Sequence, residues 1–283
     1  MALTLKELLE KDELVQAPGA YDGLTSRLIE EAGFSAVYMT GYGTAATYGL
    51  PDEGLIGREE MLHNATRIAR AVNIPVIADA DTGYGDPVEV ARTVATYETA
   101  GVQAIQLEDQ TWPKRCGHME GKTLVSTNEM VEKLRAACEA RSNEDTLIVA
   151  RTDAIAVEGF DAALERASAY AKAGADILFV EAPEDREQLQ EIPEALPQRP
   201  HLVNLAPRTP SCSADELQAM GYSLAIFPGL CLMAQVEASR AALQTLRETG
   251  IQDNLLQWTE EFEAINAFLR SGALARKMIN ETD

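Results

Sequence analysis

Residues 98–109 read ETAGVQAIQLED: helix-like text reaches Gly101, a short apolar run follows, and the run ends on Glu108 and Asp109. A glycine just past a helix is the residue that adopts the left-handed cap at least cost. The apolar run scarcely alternates, as expected of a parallel strand covered on both faces. The pattern recurs at EEAGFSAVYMT (30–40), AKAGADILFVEA (171–182) and QAMGYSLAIFP (218–228). Four more runs, LVQAPGAYD (14–22), IPVIADAD (74–81), TLIVARTD (146–153) and HLVNLA (201–206), bring the expected strands to eight.

Helix starts lie between them. Asp86-Pro87-Val88-Glu89 combines an N-cap, a proline at the first helical position and a capping glutamate, and Val90, Val94 and Tyr97 then share one face. Ser126 with Glu129 and Ser213 with Glu216 repeat the capping-box spacing. Strand and helix alternate without a flexible linker. The reading is α/β, a closed (β/α)8 TIM-type barrel, with one domain spanning 1–283. A doubly wound open sheet is the other arrangement such alternation allows. Residues 251–283 form a C-terminal helical extension whose Trp258, Phe262, Ile265 and Leu269 make an apolar stripe. A barrel closed by its own helices has little use for that stripe, so it is expected to pack on another subunit, with its own barrel as the alternative.

Composition narrows the partners. Of 283 residues, 46% are hydrophobic, enough for a large core, and the formal charge is 24 − 45 = −21. Such a surface repels nucleic acid and anionic membranes, and an anionic small-molecule substrate must find a locally positive site. Cys116, Cys138, Cys212 and Cys231 have no paired spacing, which points to a reducing compartment and against structural zinc. MALTLKELLEKDE reads as an amphipathic helix, not a leader, and LAIFPGLCLMAQV is too short for a bilayer. A soluble cytoplasmic protein is expected.

Function in such a barrel sits at the carboxyl ends of the strands. Those ends carry Tyr38 and Thr40, Asp79 and Asp81, Glu108 and Asp109, Arg151 and Asp153, Glu181, and Asn204. Gathering so many carboxylates is costly unless cations or donors balance them, and hard oxygen ligands suit Mg2+ or Mn2+. Plainer roles compete: Asp79 and Asp81 as helix caps, although Asp86 fills that position; Glu108 as the partner of Arg151; Glu181 as a cap; Asn204 as a backbone acceptor's partner. His63 reads as an ordinary helix-surface residue and His201, opening a strand, as structural. GYGTAA (41–46) matches a dinucleotide fingerprint, but the Gly- and Pro-broken text after it predicts no helix to hold a pyrophosphate, so NAD and phosphate cofactors are not expected.

The segment TWPKRCGHMEGK (111–122) follows the fourth strand and sets Lys114, Arg115, His118 and Lys122 around Cys116. Gly117 and Gly121 suit a movable lid over the mouth. Neighbouring cations favour a thiolate, so the Cys116 thiol is expected to titrate nearer 7 and to exchange protons with a substrate, whose carboxylate the same cations can hold.

The motifs KRCGH (114–118), PGAYDGLTSRL (18–28), GLPDEG (49–54), ADADTGYG (78–85), QLEDQ (106–110), ARTDA (150–154) and FVEAP (179–183) together resemble the isocitrate lyase/phosphoenolpyruvate mutase superfamily. The likeness is to its short-chain branch of 2-methylisocitrate lyase, 2,3-dimethylmalate lyase and oxaloacetate hydrolase, over nearly the whole chain. It implies that Asp79, Asp81 and Glu108 hold Mg2+, partly through water, with Asp52 at the metal site. It implies that Thr40, Gly41 and Tyr42 bind the oxo-acid carboxylate, and that Arg151, Glu181 and Asn204 contact substrate. Lys114, Gly117 and His118 join them from the loop, with Cys116 as catalytic acid or base. It also implies a homotetramer, a dimer of dimers that swap their last helix. The expected reaction is Mg-dependent carbon–carbon cleavage of a 2-hydroxy di- or tricarboxylate, with a base near Tyr38 or Arg151. Oxaloacetate hydrolysis to oxalate and acetate is the alternative, and a non-catalytic acid-binding barrel a remoter one. After His118 the text MEGK departs from the RPNK of methylisocitrate lyases and stands nearer the other two branches; NLAPRTPS (204–211) is also unusual. Phosphonomutases carry an Asn-Ser type loop in place of Cys-Gly-His, so mutase chemistry is not expected.

Overall fold

The computed structural model describes residues 3–251 and 258–280. Eight parallel strands close a barrel in chain order: β1 Val15–Ala20, β2 Val37–Met39, β3 Val76–Asp79, β4 Ala104–Glu108, β5 Leu147–Thr152, β6 Ile177–Val180, β7 His201–Asn204 and β8 Leu224–Phe227. β8 returns to β1, pairing Leu224 with Val15. This is the expected (β/α)8 TIM-type barrel, and the open sheet is excluded. The pattern glycines Gly33, Gly101, Gly174 and Gly221 all take positive φ (88°, 94°, 113° and 98°), ending the helices as their positions predict.

The helices are α1 Leu5–Leu9, α2 Gly23–Glu31, α3 Gly41–Thr47, α4 Arg58–Ala71, α5 Pro87–Ala100, α6 Thr127–Ala140 and α7 Ile155–Glu158. They continue with α8 Phe160–Ala173, α9 Arg186–Ala195, α10 Ala214–Ala219, α11 Leu230–Thr249, α12 Trp258–Arg270 and α13 Ala273–Asn280. Asp86 caps α5 through Val88 and Glu89 N–H groups, and Ser213 with Glu216 closes a full capping box at α10. One expectation is corrected: a helix does follow Thr40. Seven residues, Gly41–Thr47, coil into α3 before Gly49 and Pro51 stop it, with the Thr40 hydroxyl as N-cap. No helix among the described residues is long and apolar enough to cross a membrane.

Strand side chains sort by parity into two cores. Tyr38, Ile77, Ala104, Val149, Ile177, Phe179, Leu202, Leu224 and Ile226 fill the barrel, plugged at its amino end by Leu5 and Leu8. Val37, Met39, Ala78, Ile105, Leu107, Ile148, Ala150, Leu178 and Val180 face the helices. Because strand side chains alternate, the inner set extends at the carboxyl ends to Asp79, Gln106, Glu108, Arg151, Glu181 and Asn204. Register does the rest, setting Glu108 opposite Arg151 and Asp79 opposite Gln106.

Beyond the barrel stand two helices, α12 and α13, where one was expected. Phe262, Ile265 and Leu269 of the predicted stripe are 66%, 53% and 42% exposed; the side chain of Trp258 lies outside the described residues. α13 lies against α4 of the same chain. Arg27 fastens the turn between α12 and α13. Its guanidinium donates to the Phe268 and Leu269 carbonyls and to Ser271 Oγ, and sits 4.1 Å from the Phe268 ring centre. Arg27→Ala should free residues 258–280, costing about 1–3 kcal/mol of local stability and speeding their amide hydrogen exchange about tenfold or more. Unchanged exchange there would refute this anchoring role.

Candidate active site

At the barrel mouth, six buried carboxyls (Asp52, Asp79, Asp81, Glu108, Asp153 and Glu181) meet three buried cations (Lys114, Lys122 and Arg151). Arg151, from the end of β5, is the hub. Its guanidinium lies 3.4 Å from Glu108, 2.9 Å from Asp153 and 3.2 Å from Glu181. The Glu108–Arg151 pair therefore forms, but as one limb of a larger set. These partners hold the guanidinium's pKa well above its ordinary value although burial alone would lower it.

Asp79 is fixed by donors: Asp81 N–H at 3.0 Å, Gly41 N–H at 3.3 Å and Gln106 Nε2 at 3.4 Å. A β-carbon at Gly41 would stand 2.6 Å from Asp79 Oδ2, so only glycine lets α3 start this close to the carboxylate. Thr40 is buried as N-cap and Tyr42 half-buried on the first turn. Asp81 takes φ 47° and Ala182, just after Glu181, φ 57°. Such left-handed non-glycine backbone stores strain, and here it sits beside site carboxylates.

Neither oxygen of Glu108 accepts a hydrogen bond, Arg151 standing only 3.4 Å away as an ion pair, and Asp81 Oδ1 meets only the Lys114 ammonium. Burial raises the Glu108 carboxyl well above its ordinary range despite Arg151 and Lys114, and raises Asp81 to about 6. Among the described residues no three His, Cys, Asp or Glu side chains are arranged to grip an ion directly. The orphaned hard oxygens instead fit a hydrated Mg2+ or Mn2+, which keeps several waters and needs only one or two carboxylates. Asp52 meets this cluster through Lys114, whose Nζ lies 2.5 Å from Asp52 Oδ1 and 2.7 Å from Asp81 Oδ1.

The loop 111–122 is seated over the mouth. Cys116 N–H donates to the Asp52 carbonyl at 3.0 Å. Gly117 presses so closely on Arg151 and Glu181 that a β-carbon there would lie 2.3 Å from Arg151 Nη2. His118 Nδ1 accepts from Arg208 N–H at 3.3 Å, and Nε2 lies 3.3 Å from Glu181 Oε1 and 3.4 Å from Asn204 Nδ2. Asn204 Nδ2 donates to both Glu181 oxygens, at 3.3 and 3.1 Å. Burial tends to raise the Glu181 carboxyl, but Arg151 and His118 outweigh it and hold it below its ordinary value. The loop, β5, β6 and β7 thus meet at one point.

Two expectations are corrected. Cys116 is no poised thiolate: burial, with Asp52 adding, pushes its thiol up to about 11. The cations expected to lower it are committed elsewhere, Lys114 to Asp52 and Asp81, Lys122 to Asp153. The proposed base also changes character. Tyr38 donates to Gln106 Oε1 at 3.2 Å, and burial with Asp79 nearby raises its phenol well above 10, while Arg151 never deprotonates. His63 is exposed and His201 is buried on the Leu196 carbonyl, both as read from sequence. Sequence reasoning missed Gln106, the pairing of Lys122 with Asp153 and the tie of Arg208 to His118. Strand parity would have found Gln106, a polar residue inside β4 on the inner face.

The Asp81 shift gives a testable sign. Its folded value lies above its unfolded one, so the folded chain holds this proton more tightly. Its ionisation should therefore erode metal-free stability as pH rises from about 4 to about 6. Urea unfolding in EDTA should show wild type losing on the order of 1–3 kcal/mol relative to Asp81→Asn across that window. A pH-independent difference refutes the strained carboxylate.

Residues 5–247 match the family model described as phosphoenolpyruvate phosphomutase. The chain is 46% identical to 2,3-dimethylmalate lyase of Eubacterium barkeri, over 92% of each chain. It is 44% identical to 2-methylisocitrate lyase of Aeropyrum pernix, over 90% of this chain and 82% of that one. Its structure resembles oxaloacetate acetylhydrolase solved with 3,3-difluorooxalacetate, with a TM-score of 0.89 at 37% identity over 95% of this chain and 93% of that one. Proteins of this kind are generally dependent on a divalent metal. With the barrel, the strand-end carboxylates and the Cys-Gly-His loop in agreement, the chain belongs to the phosphoenolpyruvate mutase/isocitrate lyase superfamily.

Proposed function

We propose that the protein is a carbon–carbon lyase that cleaves a 2-hydroxy di- or tricarboxylate of the 2-methylisocitrate or 2,3-dimethylmalate type into a pyruvate-like oxo acid and a carboxylic acid. The observation that carries this reading is the loop bearing Cys116, seated over the strand-end carboxylates with Cys116 N–H on the Asp52 carbonyl and Gly117 against Arg151 and Glu181. Relatives named as lyases support it. Thr40, Gly41 and Tyr42 receive the oxo-acid carboxylate, while Arg151, Lys114, Gly117, His118, Glu181 and Asn204 surround the remainder. A bound Mg2+ or Mn2+ at Asp79, Asp81 and Glu108, with Asp52 behind Lys114, supplies electrostatic stabilisation of developing oxyanion charge.

The chain's own groups move the protons. Tyr38 would accept the substrate hydroxyl's proton as a phenolate, its own phenolic proton, which donates to Gln106 Oε1 in the resting site, having first left to solvent. Burial, with Asp79 adding, opposes that phenolate, so a cation held at the mouth would have to offset both. The C2–C3 bond then breaks, C2 becomes a carbonyl, and the electron pair passes to C3 beside its carboxylate. Arg151 faces that charge, and Cys116 gives C3 its proton, a role suited to a thiol held neutral. The seated loop excludes the water that would otherwise compete.

Oxaloacetate hydrolysis to oxalate and acetate is the second reading, favoured by the likeness to oxaloacetate acetylhydrolase. Four free cysteines suit a cytoplasmic setting. The chain works as one barrel domain over 1–283. Exposed Leu243, Leu246, Phe262 and Ile265 on α11 and α12 support a homotetramer; the swap of the 251–283 extension that family likeness implies would exchange the contacts of α13 with α4 and of Arg27 for the same contacts on another subunit. Incubation with 2-methylisocitrate, 2,3-dimethylmalate and oxaloacetate should yield pyruvate from one of the first two. Oxalate alone would select hydrolysis, and no product would sink both readings. EDTA should abolish turnover, and Cys116→Ser should lower kcat by about 100- to 10,000-fold; full activity in either case refutes that assignment.

A further inference from the structure

Lys122 closes the loop at its exit, four residues before the Ser126 cap of α6. Its side chain is 2% exposed, and a lysine buried so deeply needs compensation. Two acceptors supply it. Its Nζ lies 2.9 Å from Asp153 Oδ1 and donates to the Gly117 carbonyl, the residue that presses on Arg151 and Glu181. Asp153 holds Arg151 by two hydrogen bonds, Nε to Oδ2 at 2.9 Å and Nη2 to Oδ1 at 3.1 Å.

Asp153 cannot yield to either cation. Its N–H donates to Asp109 Oδ1 at 3.0 Å. Asp109 in turn accepts from Thr152 Oγ1 and Tyr170 Oη, each at 2.7 Å, and pairs with Arg166 at 3.4 Å. Lys122 and Arg151 therefore share one immobile carboxylate oxygen, Asp153 Oδ1, while Lys122 also grips the loop.

We infer that Lys122 is a positioning residue: it latches the Cys116 loop shut through the Gly117 carbonyl and, through Asp153, ties that closure to the aim of Arg151. If the loop lifts, Gly117 leaves Arg151 and Lys122 loses one of its two acceptors, so the closed position is the one that satisfies the buried ammonium. A lysine serving the barrel alone would need only Asp153. The inference deepens the lyase reading and rests on it for the importance of closure, but its test does not require turnover.

The experiment labels full-length protein with iodoacetamide and maps modification by mass at Cys116, with Cys138 on α6 as internal reference. Removing a nearby cation disfavours a thiolate, so electrostatics alone would slow labelling in Lys122→Met. Opening would speed it. Lys122→Met should label Cys116 at least about tenfold faster than wild type, with Cys138 unchanged and kcat reduced more than KM changes. Lys122→Arg should recover most of the protection. Gly117→Ala, whose methyl cannot fit beside Arg151, supplies the rate of a loop that cannot seat. Cys116 labelling equal to or slower than wild type overturns the inference. A parallel rise at Cys138 also overturns it, since Lys122 would then serve the fold and not the loop. Wild-type protein that turns over none of the three acids would sink the lyase reading while leaving the labelling result interpretable.

Discussion

The whole site depends on balancing buried negative charge. Six carboxyls converge where the inner strand positions end, and Arg151, Lys114 and Lys122 answer three of them. The remaining three cannot all ionise in a medium that solvates charge so poorly. The protein meets the excess by making protons harder to lose: Glu108 is pushed well up and Asp81 to about 6, so that Asp81 holds its proton only in acid, while Asp153, clasped by Arg151 and Lys122, is held well below the ordinary range although burial opposes it. A divalent cation would replace those protons, so binding and proton release are one event. The surface, at −21, gives an anionic substrate no help. Under the proposed function attraction has to be local, and Arg151 is the residue placed to supply it.

The barrel was legible because its signals are local and repeated. Each glycine at 33, 101, 174 and 221 closes a helix with a left-handed residue, and the apolar run after it has no solvent face to encode. Strand-end chemistry was equally legible, since Asp79, Glu108, Arg151, Glu181 and Asn204 follow their apolar runs directly. The short helix α3 was not: seven residues leave room for few helix signals, and the glycines at 41, 43 and 49 read as breakers. What rescues it is the Thr40 cap and the need for glycine against Asp79.

Charge near Cys116 was misread for a different reason. Sequence proximity suggested that Lys114, His118 and Lys122 act on the thiol, but a loop folded over a barrel mouth points its side chains at partners 31 to 63 positions away in sequence that become neighbours only in three dimensions. Lys114 reaches across to Asp52, Lys122 down to Asp153 and His118 to Glu181. No spacing within the loop encodes those choices, because they are set by where β3, β5 and β6 end.

That arrangement answers why an acidic protein concentrates cations beside one cysteine. The positive loop is complementary to the negative mouth, and seating it brings Lys114 and Lys122 to carboxylates that would otherwise hold protons or repel one another. The thiol is carried in by this pairing and desolvated by it. With its neighbouring cations committed to carboxylates, Cys116 keeps its proton, with a value near 11, where an exposed thiol would be partly ionised. A reaction whose last step is protonation of a carbanion-like carbon needs a donor that is neutral, dry and present only when the mouth is covered. Charge seats the loop, and burial by that same closure raises the thiol, as the proposed role of proton donor requires.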